Sequence, residues 1–365
     1  LPTFVTGASG FLGLRLVMGL LERGRSVVAL AHEGHRDRPD ERFDTMLTGV
    51  GASERMREYA HNNISYVEGD ITKPRLGLSR REYSRLTKAT DEVWHCAASI
   101  TLRRDSEVPL RANVAGTQEV LRLIDAVDGP VRFFHISTVY VVGATRDGYV
   151  VEAEVPDHFG FENNYVKSKH EAEGTVMRWA ERTRRPTTIF RTSLLITDRP
   201  FAAGVPTHTL ATVVNLLSRA SGRGVERAAI CRWPVNPMAH TNLVPVEFAA
   251  DVMLRAAELR RPSPTGIFHV VNPADTPLHV VKLAIEQVAD IRIRGVPGYP
   301  ASLEAPEKRI YRRVEPLLPV FMKDLTLSTR GMADAGLTDL NCPVVDLDYL
   351  RRSLHPAYAL EGELL

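Results

Sequence analysis

Apolar residues recur along most of this chain in two alternating rhythms. Short β-prone runs begin near residues 3, 26, 64, 92, 131 and 187, and stretches of helical spacing separate them. The first such stretch carries Phe11, Leu12, Leu16, Val17, Leu20 and Leu21 and ends at Gly24. Alternating strands and helices predict an α/β architecture, a doubly wound parallel sheet covered on both faces. The rhythm breaks over 197 to about 228, where Pro200, Gly204 and Pro206 precede a helical run from Leu210 to Leu217. A helix over 246–259 and a strand over 266–271 return to the sheet. The pattern predicts a first domain over 1–196 with a return segment at 229–272, and a smaller C-terminal lobe from 197–228 and 273–365. Pro297, Pro300, Pro306, Pro316 and Pro319 predict loops and short helices over the mouth of a site.

The turn after the first strand reads Thr6-Gly7-Ala8-Ser9-Gly10-Phe11-Leu12-Gly13. A strand enters a glycine turn that opens a helix, and the glycines permit close approach of backbone to a pyrophosphate. The helix N-terminus adds free N–H groups and a favourable dipole. Gly7, Ser9, Gly10, Phe11, Leu12 and Gly13 are therefore the candidate dinucleotide turn of a Rossmann domain. The competing reading is a glycine-rich turn with no ligand.

A second element supplies chemistry. Tyr165 and Lys169 stand four residues apart, on one face of a predicted helix. An ordinary tyrosine, with a pKa of about 10, is a poor proton donor at neutral pH, and a nearby ammonium favours the phenolate and lowers that value. The chain holds only seven lysines against thirty-nine arginines, so the spacing is less readily a coincidence. Lys167 is expected on a solvated face. Upstream, residues 133–138 read as a buried strand ending in Ser137 and Thr138, the second of which is the candidate third catalytic group.

The spacing G-x-x-G-x-x-G with the later Tyr-x-x-x-Lys resembles the extended branch of the short-chain dehydrogenase/reductase superfamily. His135-Ile136-Ser137-Thr138-Val139-Tyr140-Val141-Val142-Gly143 is similar to the segment of its thioester reductases. That family includes terminal reductase domains of nonribosomal peptide synthetases, carboxylic acid reductases and fatty acyl-CoA reductases. Gly69-Asp70, His95-Cys96-Ala97-Ala98, Asn113-Val114-Ala115-Gly116-Thr117, Phe190-Arg191-Thr192-Ser193 and Asn242-Leu243-Val244-Pro245-Val246-Glu247 resemble further family segments. Thr192 replaces a proline there. The resemblance is dense from residue 3 to about 257. It implies a Thr138-Tyr165-Lys169 triad, and it implies that Asp70, Ile71, Ala97, Ala98, Asn113 and Thr192 join the glycine turn, Tyr165 and Lys169 around the cofactor. Asp70 would accept from the adenine amino group, or simply shape its turn.

The family reading implies reduction of an acyl thioester, carried on a phosphopantetheine carrier protein or coenzyme A, to an aldehyde and optionally onward to an alcohol. His208, His240 and Asn242 are candidate liners of the substrate channel. Cofactor choice rests on the end of the second strand. His32 stands where the relatives have arginine, Arg42 where they have a second phosphate-facing arginine, and Arg36 and Arg38 lie between. NADPH is favoured, with Glu33 on the ribose of NAD as the competing reading. Two other readings stay open: an extended dehydrogenase or epimerase acting on a sugar nucleotide or other alcohol or ketone, and a non-catalytic cofactor sensor.

A formal net charge of +2 from balanced populations suggests neither a nucleic-acid nor a membrane partner. Cys96, Cys231 and Cys342 are few, scattered and without metal-ligand spacing, so no metal site is expected and a reducing, cytoplasmic setting is. A monomer is favoured. No signal peptide or apolar span of about twenty residues is visible. The chain opens at Leu1 almost inside a strand, which leaves room for a preceding segment.

Overall fold

The computed structural model describes residues 1–32, 37–103, 106–200, 204–221, 230–236, 238–259 and 265–355. Its centre is a seven-stranded parallel sheet. Five strands come early: β1 (Thr3–Thr6), β2 (Val27–His32), β3 (Ile64–Gly69), β4 (Glu92–His95) and β5 (Arg132–Thr138). Strands Thr187–Thr192 and Thr265–Val270 complete it, in the order 265–270, 187–192, β5, β4, β1, β2, β3. From β1 the chain builds outward through β2 and β3, then crosses to β4 on the other side. That reversal creates the crevice in which doubly wound sheets bind ligands. The glycine turn leaves β1 on one side of it, and Cys96 to Ala98 leave β4 on the other.

Both faces of the sheet are apolar, as helices on each side require. On one face Trp94 stacks on Phe134 at 4.3 Å and lies nearly parallel to Phe190 at 5.8 Å. On the other, Phe133 meets the edge of Trp179, from the helix Asn164–Thr183. The early rhythm also yields α1 (Phe11–Glu22), whose Gly19 lies against Leu254 of the helix Val246–Glu258.

A second apolar cluster forms the smaller lobe. Helices Thr209–Ser221, Leu278–Ala289, Ala305–Val314 and Leu347–Ser353 pack with Trp233, Ile293, Leu318 and Phe321. A parallel pair, Ile230–Pro234 with Arg292–Val296, lies within it. The proline-rich middle forms a short helix and a 3-10 helix, Glu315–Met322. The next strand, Asp324–Leu327, pairs in parallel with Asp147–Val150 from the loop after β5, stitching the lobe to the sheet domain. Among the described residues no helix is long and apolar enough to cross a membrane.

Candidate active site

The glycine turn is built for close approach. Gly7 has φ +70°, and a Cβ there would lie 2.5 Å from the Ala97 backbone nitrogen. A Cβ on Gly13 would lie 2.0 Å from the Gly7 carbonyl oxygen. Side chains at either position would push the start of α1 off the turn. Gly10 precedes α1 without a side-chain cap, so the N–H groups of Phe11, Leu12 and Gly13 open on the crevice as anion donors. The turn fits a dinucleotide pyrophosphate.

Around it the predicted residues gather. Arg42, half-buried on the helix Pro39–Gly49, reaches Ser9 Oγ at 3.5 Å. His32 ends β2, exposed, beside Gly69 in the neighbouring strand. Glu33 and Arg36 lie outside the described residues. Asp70 accepts from the Thr72 N–H and hydroxyl, both at 2.8 Å. Burial works against its charge, but the two bonds hold its pKa below the ordinary value. Asp70 thus shapes its own turn, and a second carboxylate oxygen remains. Ile71 packs where a Cβ on Gly116 would lie, 2.8 Å from its Cδ1. The Ala97 N–H donates to Thr6 Oγ1, and Ala98 is exposed.

Strand β5 and the helix Asn164–Thr183 carry the three residues of the expected triad. Thr138 ends β5, where its hydroxyl donates to the Thr192 carbonyl at 3.1 Å and accepts from the Tyr140 N–H. Ser137 points to the opposite face and donates to Glu173. Lys169 is buried, and its ammonium donates to the Ile136 carbonyl at 2.5 Å. Burial lowers its pKa to about 8, against the pull of Glu173 and Cys96. Tyr165 is half-buried one helical turn earlier. The expected lowering of its pKa is absent: burial pushes it up to about 12, leaving the phenol protonated at neutral pH.

Asn113 ties the segment after β4 to the helix that carries Tyr165. It sits in one turn of π-helix, Leu110–Ala115, a distortion frequent at functional sites. Its amide donates to Ser168 Oγ at 2.8 Å and to the Ser99 carbonyl, while its oxygen accepts from the Ser99 N–H. Behind Lys169 lie two buried histidines. His95 bonds Thr6 and Thr117, whereas neither ring nitrogen of His135 has a partner among the described residues.

Thr138, Tyr165 and Thr192 line a cavity of about 190 Å³ between sheet and lobe. Its other walls are mostly apolar, including Phe11, Leu102, Leu317 and Val320. Of the candidate channel residues, His208 lines it, bonded to Ser353 and capping the helix that begins at Thr209. The other two do not. His240 is exposed beside Asp324, and Asn242 is fully engaged with Ser193, Asn272 and Asp275. Sequence reasoning missed the lobe residue Lys323, which pairs with Glu162 at the cavity wall. No local signal marks a contact across that separation.

A glycine turn at a sheet's switch point, with Tyr and Lys four apart beside the threonine, defines a short-chain dehydrogenase/reductase of the extended type. A family model described as Male sterility protein, of the NAD-binding class, matches residues 5–253. The chain belongs to that family, the thioester reductase family. It is 28% identical over 263 residues to the non-canonical nonribosomal peptide synthetase cpsA of Aspergillus campestris, covering 69% of this chain and 24% of that protein. It is 24% identical over 310 residues to fatty acyl-CoA reductase 1 of Pongo abelii, covering 75% and 58%. The chain therefore spans less than two thirds of either relative. The terminal R domain of the myxalamid PKS-NRPS pathway has the same fold, with a TM-score of 0.74 at 22% identity over 97% of this chain and 89% of that one.

Proposed function

We propose that this chain reduces an acyl thioester to an aldehyde, with NADPH as the preferred reductant. The observation that carries the reading is the cavity itself, in which Thr138 and Tyr165 share one mostly apolar wall at the end of β5, beside the buried Lys169. Gly7, Ser9, Gly10 and Gly13 would hold the pyrophosphate, with Arg42 and His32 toward the ribose phosphate, Asp70 and Ile71 toward the adenine, and Lys169 on the nicotinamide ribose. Bound there, the reduced nicotinamide supplies hydride to the thioester carbonyl carbon.

The protein's part is to manage charge on the carbonyl oxygen. Tyr165, a neutral phenol in a dry pocket, donates its proton as that oxygen becomes anionic. Lys169, cationic below about pH 8, stabilises the negative charge that Tyr165 acquires. The Thr138 hydroxyl donates to Thr192 in the resting site, so it serves the substrate by rotating about its C–O bond. The hydroxyl of the resulting hemithioacetal returns its proton to Tyr165 as the C–S bond breaks, and the expelled thiolate takes a proton from solvent as the aldehyde leaves. The apolar walls, Leu317 and Val320 among them, exclude the water that would hydrolyse the thioester. Their origin in 273–365 supports a substrate-binding role for the lobe. Phosphopantetheine on a carrier protein, or coenzyme A, supplies the thiol.

The test is a panel of acyl-pantetheine, acyl-CoA, aldehyde and UDP-sugar substrates, following reductant absorbance and free thiol together. Matched loss of reductant and release of thiol supports the proposal. Turnover of an alcohol, ketone or sugar nucleotide with no thiol released would replace it with the dehydrogenase reading.

A further inference from the structure

The cavity wall carries two polar atoms that the mechanism does not use. Lys323, 6% exposed, spends its three ammonium protons on the Gly143 carbonyl at 2.6 Å, the Thr145 carbonyl at 2.7 Å and Glu162 Oε1 at 2.5 Å. Nothing is left for the other Glu162 oxygen. Glu162 Oε2 is buried and has no hydrogen-bond partner among the described residues, and the same is true of Thr207 Oγ1. Both residues line the cavity that Tyr165 and Thr138 share. A buried polar atom without a partner costs about 1–3 kcal/mol, so such atoms are rare unless something else satisfies them.

The two are chemically complementary. A carboxylate oxygen only accepts, and because Lys323 already balances its charge, it suits a neutral N–H better than a second cation. A threonine hydroxyl can donate to a carbonyl. A secondary amide offers both, an N–H on one edge and a C=O on the opposite edge, so it can lie between the two side chains.

We propose that the cavity recognises a secondary amide close to the thioester, with Glu162 accepting its N–H and Thr207 donating to its carbonyl. Two parts of a pantetheine-borne substrate carry such an amide, the acyl group and the pantetheine arm, and both present the same chemistry to Glu162 and Thr207. In the acyl group it would make the substrate class an acylamino thioester rather than a plain alkanoyl one. This inference rests on the thioester reading.

Equilibrium binding tests the inference apart from turnover. The ligands are thioethers in which the thioester carbonyl is replaced by methylene. On the acyl side an N-acetylglycyl-derived group is compared with its 4-oxopentanoyl counterpart, which lacks the N–H, and its pentanoyl counterpart, which lacks both groups. On the thiol side an N-acetylcysteamine arm is compared with a 5-sulfanylpentan-2-one arm, which lacks the N–H, and a pentanethiol arm, which lacks both groups. Calorimetry on the intact chain should show the amide ligand binding at least about tenfold tighter than the alkyl one on one side, and that side identifies the source. Glu162→Gln keeps an oxygen for Lys323 but turns an NH2 toward the ligand, so the amide-over-ketone ratio should fall to near one. Thr207→Val should reduce the ketone-over-alkyl ratio while leaving the amide-over-ketone ratio in place. Equal affinities on both sides, or ratios unmoved by both substitutions, would overturn the inference. Thiol release from the parent thioesters, measured separately, tells whether the thioester reading stands.

Discussion

The Lys169 ammonium and the Ile136 carbonyl are joined by a hydrogen bond of 2.5 Å, which ties the helix of Tyr165 to the strand that ends in Thr138. Charge on that buried amine therefore bears on both. Its pKa of about 8 lies well below that of a free lysine, whereas Tyr165 at about 12 stays protonated across the working range. The alkaline limb of the site belongs to Lys169. Dinucleotide affinity and turnover should both fall as pH rises through about 8, where the ammonium loses its proton. Lys169→Arg should move that limb upward by more than one pH unit, and Lys169→Met should abolish it while weakening both binding and turnover. Affinity titrated by protein fluorescence from pH 6 to 10 reads this directly, and a flat parent profile would refute it.

If Tyr165 is the proton donor, Tyr165→Phe removes that donor and leaves the ring in place. Turnover should drop by about two orders of magnitude or more, the usual scale for a positioned acid. Dinucleotide dissociation constants should stay within about threefold of the parent. Single-turnover thiol release under saturating reductant is the measurement, and parental turnover would remove Tyr165 from the mechanism.

Arg42 reaches Ser9 of the glycine turn at 3.5 Å. If it holds the 2′-phosphate, a charge-assisted contact of about 1.5–3 kcal/mol is at stake. Arg42→Ala should then weaken NADPH about ten- to a hundredfold, with NADH little changed. Arg42→Lys should recover only part of the difference, because an ammonium lacks the bidentate fork. Tighter binding of NADH than NADPH by the parent would move the assignment to Glu33 and NAD.

Glu173 and Arg191 form a charge pair with almost no exposure, completed by Ser137 and the carbonyls of Val151 and Ala153. Glu173→Ala would strand a guanidinium in the core, which costs about 3–5 kcal/mol. The urea midpoint should fall accordingly, whereas Lys167→Ala, in an exposed pair with Glu171, should move it by less than about 0.5 kcal/mol.

Acid should destabilise the fold through its buried histidines. Burial lowers the pKa of His208 and His269 to about 4 and of His95 to about 3, and it lowers that of His135 as well. Unfolded, each would take up a proton near 6.5. Between about pH 4 and 6.5 the unfolded chain binds more protons, so stability rises with pH there and is lost as pH falls below about 6.5. Urea unfolding at pH 7.5, 6 and 5 should give midpoints that decline in that order.

Local signals made the glycine turn, α1 and the Tyr165 to Lys169 spacing legible, because each is set within one strand–turn–helix unit. The strands of the parallel sheet were legible for the same reason. What the sequence hid are contacts between distant segments. The bonds from Asn113 to Ser168 and Ser99 are among them. The acidity of Tyr165 was misread because spacing reports which groups share a face, not how dry that face is. Asn242 opens a family-like segment and His240 lies just before it, yet Asn242 is bonded to Asn272, His240 lies beside Asp324, and neither lines the cavity. Lys323 lies beyond the part of the chain where the resemblance is dense.

The last strand of the sheet, Thr265–Val270, follows an excursion through the lobe and then pairs with Thr187–Thr192. During synthesis, strands through Thr192 emerge with one edge bare. That edge stays open until the segment after 259 has left the ribosome and closed a long loop back onto it, a slow step for a parallel pairing. Apolar positions on both faces of that strand, Ile189 on one and Phe190 on the other, are exposed to other chains meanwhile. Truncations ending between 200 and 264 should therefore aggregate rather than yield a smaller folded cofactor domain.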